Sequence, residues 1–252
     1  MSSALVVLSG GLDSCVVLAL AMRENDRVET LSFSYGQRHT AELDAADKIA
    51  QYYEVGHTVL SIPLGTGESV LMDHAAEMPQ MTYEEIQASE GPSPTYVPYR
   101  NGTFLSLAAS GALDMGLDYI YAGMHGEDAH NWAYPDCTPE FIGAMQNAIY
   151  IGTYYKVRLK VPFTYKTKAE IILLGATLGA PLHLTMSCYE GRAPACGRCP
   201  TCIARLEAFK ANGIQDPIEY EFDQYRQRGM PRDTVVASLK LQRELADERD
   251  SS

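Results

Sequence analysis

An apolar run, Ala4-Leu5-Val6-Val7-Leu8, passes directly into Ser9-Gly10-Gly11-Leu12-Asp13-Ser14 and then into Cys15-Val16-Val17-Leu18-Ala19-Leu20. That succession reads as a strand, a glycine turn and a helix start, which commits the chain near residue 4 to an α/β unit. Two adjacent glycines let the backbone turn tightly and bring N–H groups close to an anion, and the helix start adds positive potential. The serines add donors. An ordinary strand-to-helix turn capped by Asp13 or Ser9 is the plainer alternative. The full hexapeptide following a strand favours a nucleotide-phosphate loop. An aspartate beside a polyphosphate is repulsive without a cation, so Asp13 is expected to act through Mg²⁺.

The loop lacks the Gly-Lys-Ser/Thr of a Walker A motif and the G-x-G-x-x-G of dinucleotide sites. It resembles the pyrophosphate-binding loop of the N-type ATP pyrophosphatases, the PP-loop or adenine nucleotide alpha hydrolase-like group, whose members split ATP between its α and β phosphates. This resemblance implies ATP contacts from Leu8, Ser9, Gly10, Gly11, Leu12, Asp13 and Ser14.

The remaining pattern suits a doubly wound parallel sheet. Strands are expected at 4–8, 27–35, 57–62, 119–122 and 157–161. Helices are expected at about 13–23, after Thr40 as cap, and at 103–115, 139–151, 167–178 and 203–210. Residues 63–98 are long, weakly periodic and rich in Gly, Pro and Met, as in a lid. The expected division is a nucleotide domain over 1–186, a small zinc-binding segment over 187–212 and a charged tail over 213–252. Val235–Leu241 in that tail reads either as an amphipathic helix or as solvated chain.

With 252 residues the chain has room for one such domain and an appendage. No stretch is apolar for long enough to span a bilayer, and the N-terminal apolar run is too short for a signal peptide, so a cytoplasmic location is expected. A formal charge of −12 disfavours a broad nucleic-acid surface and favours small-molecule substrates. Four of six cysteines, Cys188, Cys196, Cys199 and Cys202, are separated by seven, two and two residues in a Gly- and Pro-bearing stretch. Four thiolates complete the tetrahedral shell of Zn²⁺ and leave no position for chemistry, so one structural zinc per chain is expected; an iron–sulfur cluster and unligated thiols are the alternatives.

Five segments in order, namely Ser9–Ser14, Tyr35-Gly36-Gln37-Arg38-His39, Val97-Pro98-Tyr99-Arg100-Asn101, Tyr134-Pro135-Asp136-Cys137 and the clustered cysteines, resemble the QueC family of queuosine precursor biosynthesis over about residues 4–212. The resemblance implies an ATP-dependent ligase that takes 7-carboxy-7-deazaguanine and ammonia to the 7-cyano base through adenylated carboxylate and amide. It implies catalytic roles for Asp13, Ser14 and Lys168. Lys168 matches a family lysine suited to the α-phosphate, against an exposed first-turn lysine. Arg100, Asn101, Tyr134 and Asp136 are the substrate-binding candidates. Asn101 and Asp136 could instead cap helices, Asp136 the one starting near Pro139. Cys137 reads as a packed or pocket-lining thiol. Gln37, Arg38 and His39 fall where strand two ends, and a homodimer accords with the family's habit.

Two departures stand out. His125 occupies a position where a cysteine is expected, within a lengthened loop 123–133, and Tyr99 replaces a common glycine. His125, Glu127, Asp128 and His130 have no spacing that defines a second metal site. These departures leave open a QueC-like ligase that stops at the amide or acts on another carboxylate; a tRNA thiolation enzyme with the same loop is the further rival within the superfamily, and a non-catalytic zinc-ribbon module the rival outside it.

Overall fold

The computed structural model describes residues 1–37, 40–64, 69–72 and 91–223. Arg38, His39, most of the 63–98 segment and Val235–Leu241 lie outside the described residues. Five parallel strands form one sheet in the order β3-β2-β1-β4-β5: β1 Ser3–Val7, β2 Arg27–Ser34, β3 Gly56–Ser61, β4 Tyr119–Tyr121 and β5 Arg158–Lys160. Among the described residues six α-helices accompany them: α1 Leu12–Glu24, α2 Ala41–Tyr52, α3 Arg100–Asp114, α4 Pro139–Gly152, α5 Lys168–Thr177 and α6 Pro200–Ala211.

The strand alternation sorts the core into two layers. Ala4, Val6 and Tyr121 face α1, α2, α5 and α6, where Leu18, Ile49, Ile172 and Phe209 are buried. Leu5, Leu31 and Ile120 face α3 and α4, against Leu105, Ala108, Ala112, Ile142 and Ile149. The doubly wound expectation therefore holds. The strand order reverses between β1 and β4, and in such sheets ligands gather at that point beyond the carboxyl ends of the strands.

Three helix ends differ from expectation. Thr40 stands at the start of α2, but its side chain makes no capping bond. α3 begins at Arg100 rather than Thr103, because the Asp136 carboxylate, distant in sequence, accepts the Asn101 N–H at 2.9 Å and supports an earlier turn. α6 begins at Pro200 rather than Ile203, since proline at the first helical position loses no hydrogen bond there. No described helix is long and apolar enough to cross a membrane.

Candidate active site

The Ser9–Ser14 loop emerges from central strand β1 and packs on its neighbours. Gly10 has φ +82°, and a Cβ there would lie 2.0 Å from the Glu42 carbonyl of α2. Glycine is thus required by both conformation and space. Gly11 is the N-cap of α1, with no side-chain capping bond, so neither Asp13 nor Ser9 caps that helix. Ser14 Oγ instead accepts from the Ser9 backbone at 3.2 Å and donates to the Gly11 carbonyl at 3.0 Å, folding the loop on itself. The Gly10 carbonyl accepts from the Met186 N–H at 2.9 Å.

Asp13 projects from the first turn of α1 and its Oδ2 meets Lys168 Nζ, which arrives from the first turn of α5. Lys168 is therefore a cleft residue rather than an exposed first-turn lysine. Burial raises the Asp13 pKa, but the Lys168 ammonium and His125 outweigh it and hold the carboxyl below its ordinary value. Its Oδ1 is buried without a hydrogen bond. An anionic oxygen left bare at the mouth of a phosphate-sized loop suits a cation, so Asp13 fits the expected Mg²⁺.

The loop after β4 supplies the facing wall. At Gly123 a Cβ would lie 3.1 Å from the Asp13 carbonyl carbon, so the two loops meet through glycine. His125, 4% exposed, holds Nε2 3.4 Å from Asp128 and 4.0 Å from Asp13. Glu127 accepts the Lys168 N–H at 2.7 Å and so supports the start of α5, alongside the Thr167–Glu170 capping box. Nothing local in the sequence announced that contact.

Beyond the loop lies a cleft of about 610 Å³, lined by Ser9, Gly11, Asp13 and Lys168 at one end and by Phe33, Tyr35, Arg100, Asn101, Phe104 and Tyr134 elsewhere. Its size suits a nucleotide-sized ligand. Phe33 and Phe104 stack at 4.2 Å, and Arg100 donates to the Tyr35 hydroxyl at 3.3 Å. Burial works against the Arg100 charge, yet Tyr35, Glu42 and Asp136 outweigh it and keep the guanidinium protonated. Tyr134 hydrogen-bonds Thr95, and Leu71 and Thr95, both from the described part of the lid segment, join the wall. Gln37 lines the cleft as well, and its Oε1 accepts the Tyr35 N–H at 2.8 Å.

Asp136 sits behind that wall, 3% exposed. Thr138, not Asp136, caps α4, accepting from the Phe141 N–H at 3.2 Å. Burial raises the Asp136 pKa, with the Asn101 N–H and Arg100 opposing. Asn101 does not cap a helix with its side chain; its amide donates to Cys137 Sγ at 3.3 Å. The Cys137 thiol is pushed well up, by burial first, so it is packed and inert. Tyr99 adopts φ +55°, the left-handed conformation in which glycine carries no penalty and a tyrosine is strained.

The second predicted site also assembles. The sulfurs of Cys188, Cys196, Cys199 and Cys202 are buried and lie within 4.8 Å of one another, a donor set that fits a metal such as zinc. Backbone N–H groups of Arg198 and Cys199 point at Cys196 Sγ, at 3.4 and 3.3 Å, as expected around a thiolate. Gly197 is required because a Cβ would collide with the Phe222 carbonyl at 1.6 Å. Residues 213–223 thus fold back over the cysteines rather than starting a tail: Ala195 pairs with Tyr220, and Asp216 binds buried Arg205. α6 brings Ala204, Glu207 and Ala208 to the cleft, so the cysteine segment forms part of its wall.

Residues 3–213 match the family model described as Queuosine biosynthesis protein QueC. A Thermoplasma acidophilum protein named 7-cyano-7-deazaguanine synthase is 43% identical over 223 residues, covering 86% of this chain and 92% of that protein. A Desulfitobacterium hafniense protein named 7-cyano-7-deazaguanine synthase 2 is 43% identical over 227 residues, covering 87% and 94%. Among solved structures, the U34-tRNA thiolase NcsA from Methanococcus maripaludis aligns with a TM-score of 0.45 at 14% identity, over 96% of this chain and 73% of that one, a likeness too low to carry chemistry across.

Proposed function

Since the chain belongs to the QueC family of queuosine biosynthesis proteins, we propose that it is an ATP-dependent ligase converting 7-carboxy-7-deazaguanine and ammonia to 7-cyano-7-deazaguanine. The observation that carries this reading is the meeting of Asp13, Lys168 and the Ser9–Ser14 loop beside the cleft. A carboxylate is a poor electrophile until one oxygen becomes a leaving group, and adenylation supplies that. The substrate oxygen attacks the α-phosphate and pyrophosphate departs. Ammonia then displaces AMP to give the amide. A second ATP adenylates the amide oxygen, and loss of AMP together with two N–H protons leaves the nitrile.

The loop's backbone N–H groups and the Ser9 and Ser14 hydroxyls hold the departing pyrophosphate. Lys168 exchanges Asp13 for the α-phosphate as ATP enters. Asp13 would hold Mg²⁺, which would offset the polyphosphate charge. Arg100 pairs with the substrate carboxylate. Asn101 and Tyr134 contact the base, and Asp136 fixes Asn101 from behind. Zinc at the four cysteines is structural. Against tRNA thiolation stand the acidic charge and the absence, among the described residues, of an activated cleft cysteine, Cys137 being inert.

The test is mass spectrometry of products after incubation with ATP, Mg²⁺, ammonium and 7-carboxy-7-deazaguanine. Nitrile and AMP are expected, both abolished in a folded Asp13→Ala variant. Absence of substrate-dependent AMP overturns the reading.

A further inference from the structure

Arg205 is fully buried on α6, near enough to Asp13 to help hold that carboxyl below its ordinary value, and its guanidinium makes five directed hydrogen bonds. Nε and Nη2 grip the Asp216 carboxylate at 2.7 and 2.9 Å. Nη2 also donates to the Leu182 carbonyl at 3.1 Å, and Nη1 to the Thr185 and Ser187 hydroxyls at 2.5 and 3.2 Å. Its bonds therefore bracket the stretch 182–187. Within that stretch the Met186 N–H donates to the Gly10 carbonyl, and the Met186 carbonyl lies 3.7 Å from where a Cβ on Gly11 would be. The nucleotide loop rests on a segment that has no regular secondary structure past Leu184 and that Arg205 ties down at three points, with the Thr201 hydroxyl donating to the Ser187 carbonyl at 2.6 Å beside it.

We propose that Arg205 is a positioning residue for the nucleotide loop: by fixing 182–187 it sets the Met186 amide that seats Gly10, and so sets the geometry in which the loop receives a polyphosphate. The ligand identity rests on the ATP reading above, whereas the Arg205 to Gly10 linkage does not. A buried fork that only glued α6 to the following strap would need Asp216 alone. Three further acceptors, all on the stretch that carries Met186, point to a second task.

The experiment uses the full chain. Removing Arg205 alone would strand a buried carboxylate, so the informative variant is Arg205→Met/Asp216→Leu/Tyr220→Phe, which also removes the Tyr220 hydroxyl that donates to Asp216 at 2.6 Å. Replacing a buried ion pair with apolar groups of similar size is often neutral for stability. The companion is Thr185→Val, which deletes one Arg205 acceptor together with the hydroxyl's own bond to the Leu182 carbonyl and keeps the ion pair; Ser187→Ala, which deletes only the acceptor at 3.2 Å among Arg205's partners, separates the two losses. Two readouts are taken: hydrogen exchange at the Met186 amide without nucleotide, and ATP affinity by calorimetry. In the triple variant Met186 exchange should accelerate and ATP affinity should fall roughly tenfold, a typical coupling between sites. Thr185→Val should shift both in the same direction by about threefold. Unchanged Met186 exchange with wild-type affinity in folded triple variant overturns the proposal; should that variant not fold, the same result in Thr185→Val overturns it. Wild-type protein that binds no ATP would refute the functional reading, while the Met186 exchange still decides the linkage.

Discussion

The two loop glycines invite a paired perturbation, because they answer to different constraints. Gly10 faces α2 and does not line the cleft, whereas Gly11 does. In Gly10→Ala the new methyl would sit 2.0 Å from a backbone oxygen at a residue with φ +82°, so helix and loop must separate by more than an ångström to reach ordinary contact. The left-handed conformation costs about 1 kcal/mol and the forced repacking about 2 more, which together should lower Tm by roughly 9 °C in a chain this long. Gly11 has φ −76° and ψ 168°, which alanine accepts, and its Cβ would meet nothing nearer than the Ser9 hydroxyl at 3.3 Å. Gly11→Ala should therefore stay within about 0.5 kcal/mol of wild type, since the poorer N-cap offsets the stiffer unfolded chain. Its methyl instead faces the incoming phosphate, and ATP affinity should fall about tenfold, or 1.4 kcal/mol. Calorimetric melting and ATP titration of both variants are the assay. A Gly10→Ala protein that melts like wild type, or equal stability losses in the two, would refute the reasoning.

Other perturbations have equally definite outcomes. The folded-state pKa of Asp13 is depressed, so its ionic contribution is full above the ordinary value of 3.8 and is lost as pH falls through the folded value. Lys168→Met leaves burial, which raises the pKa, opposed mainly by His125; the variant should be about 1–2 kcal/mol less stable at pH 7.5, the gap narrowing toward pH 4.5, and urea curves in magnesium-free buffer that show a pH-independent gap would contradict this. Elemental analysis should find about one zinc per chain, and Cys199→Ser should lose both the metal and several kcal/mol of stability; an iron–sulfur absorption band would reject zinc. At position 99 the usual ranking should invert, with Tyr99→Gly more stable than Tyr99→Ala by about 1 kcal/mol in thermal unfolding, because only glycine is unstrained at φ +55°. Equal stability would remove that account of the position.

The sequence was most legible where chemistry is local. Short apolar runs between helical segments located the strands, the hexapeptide located the loop, and cysteine spacing located the metal cluster. What it hid was long-range. Asp136 supports α3 across 35 positions, and the Arg205–Asp216 pair joins a helix to residues that read as the beginning of a charged tail. A buried arginine has no sequence signature of its own, since its partners here, a carboxylate, a backbone carbonyl and two hydroxyls, are gathered only by folding. The start of α6 was readable, because Pro200 after Cys199 is an N-terminal helix signal, yet apolar spacing drew the boundary to Ile203. Glu127 reached the start of α5 through a turn whose path no motif specified.

The seating of Gly10 on Met186 also orders events in time. A ribosome delivers the loop more than 170 residues before its seat, and Arg205 with Asp216 later still. Such separation makes for slow closure of contacts. The loop, made well before the segment that seats it, reaches its described shape only after that segment and its anchors have emerged.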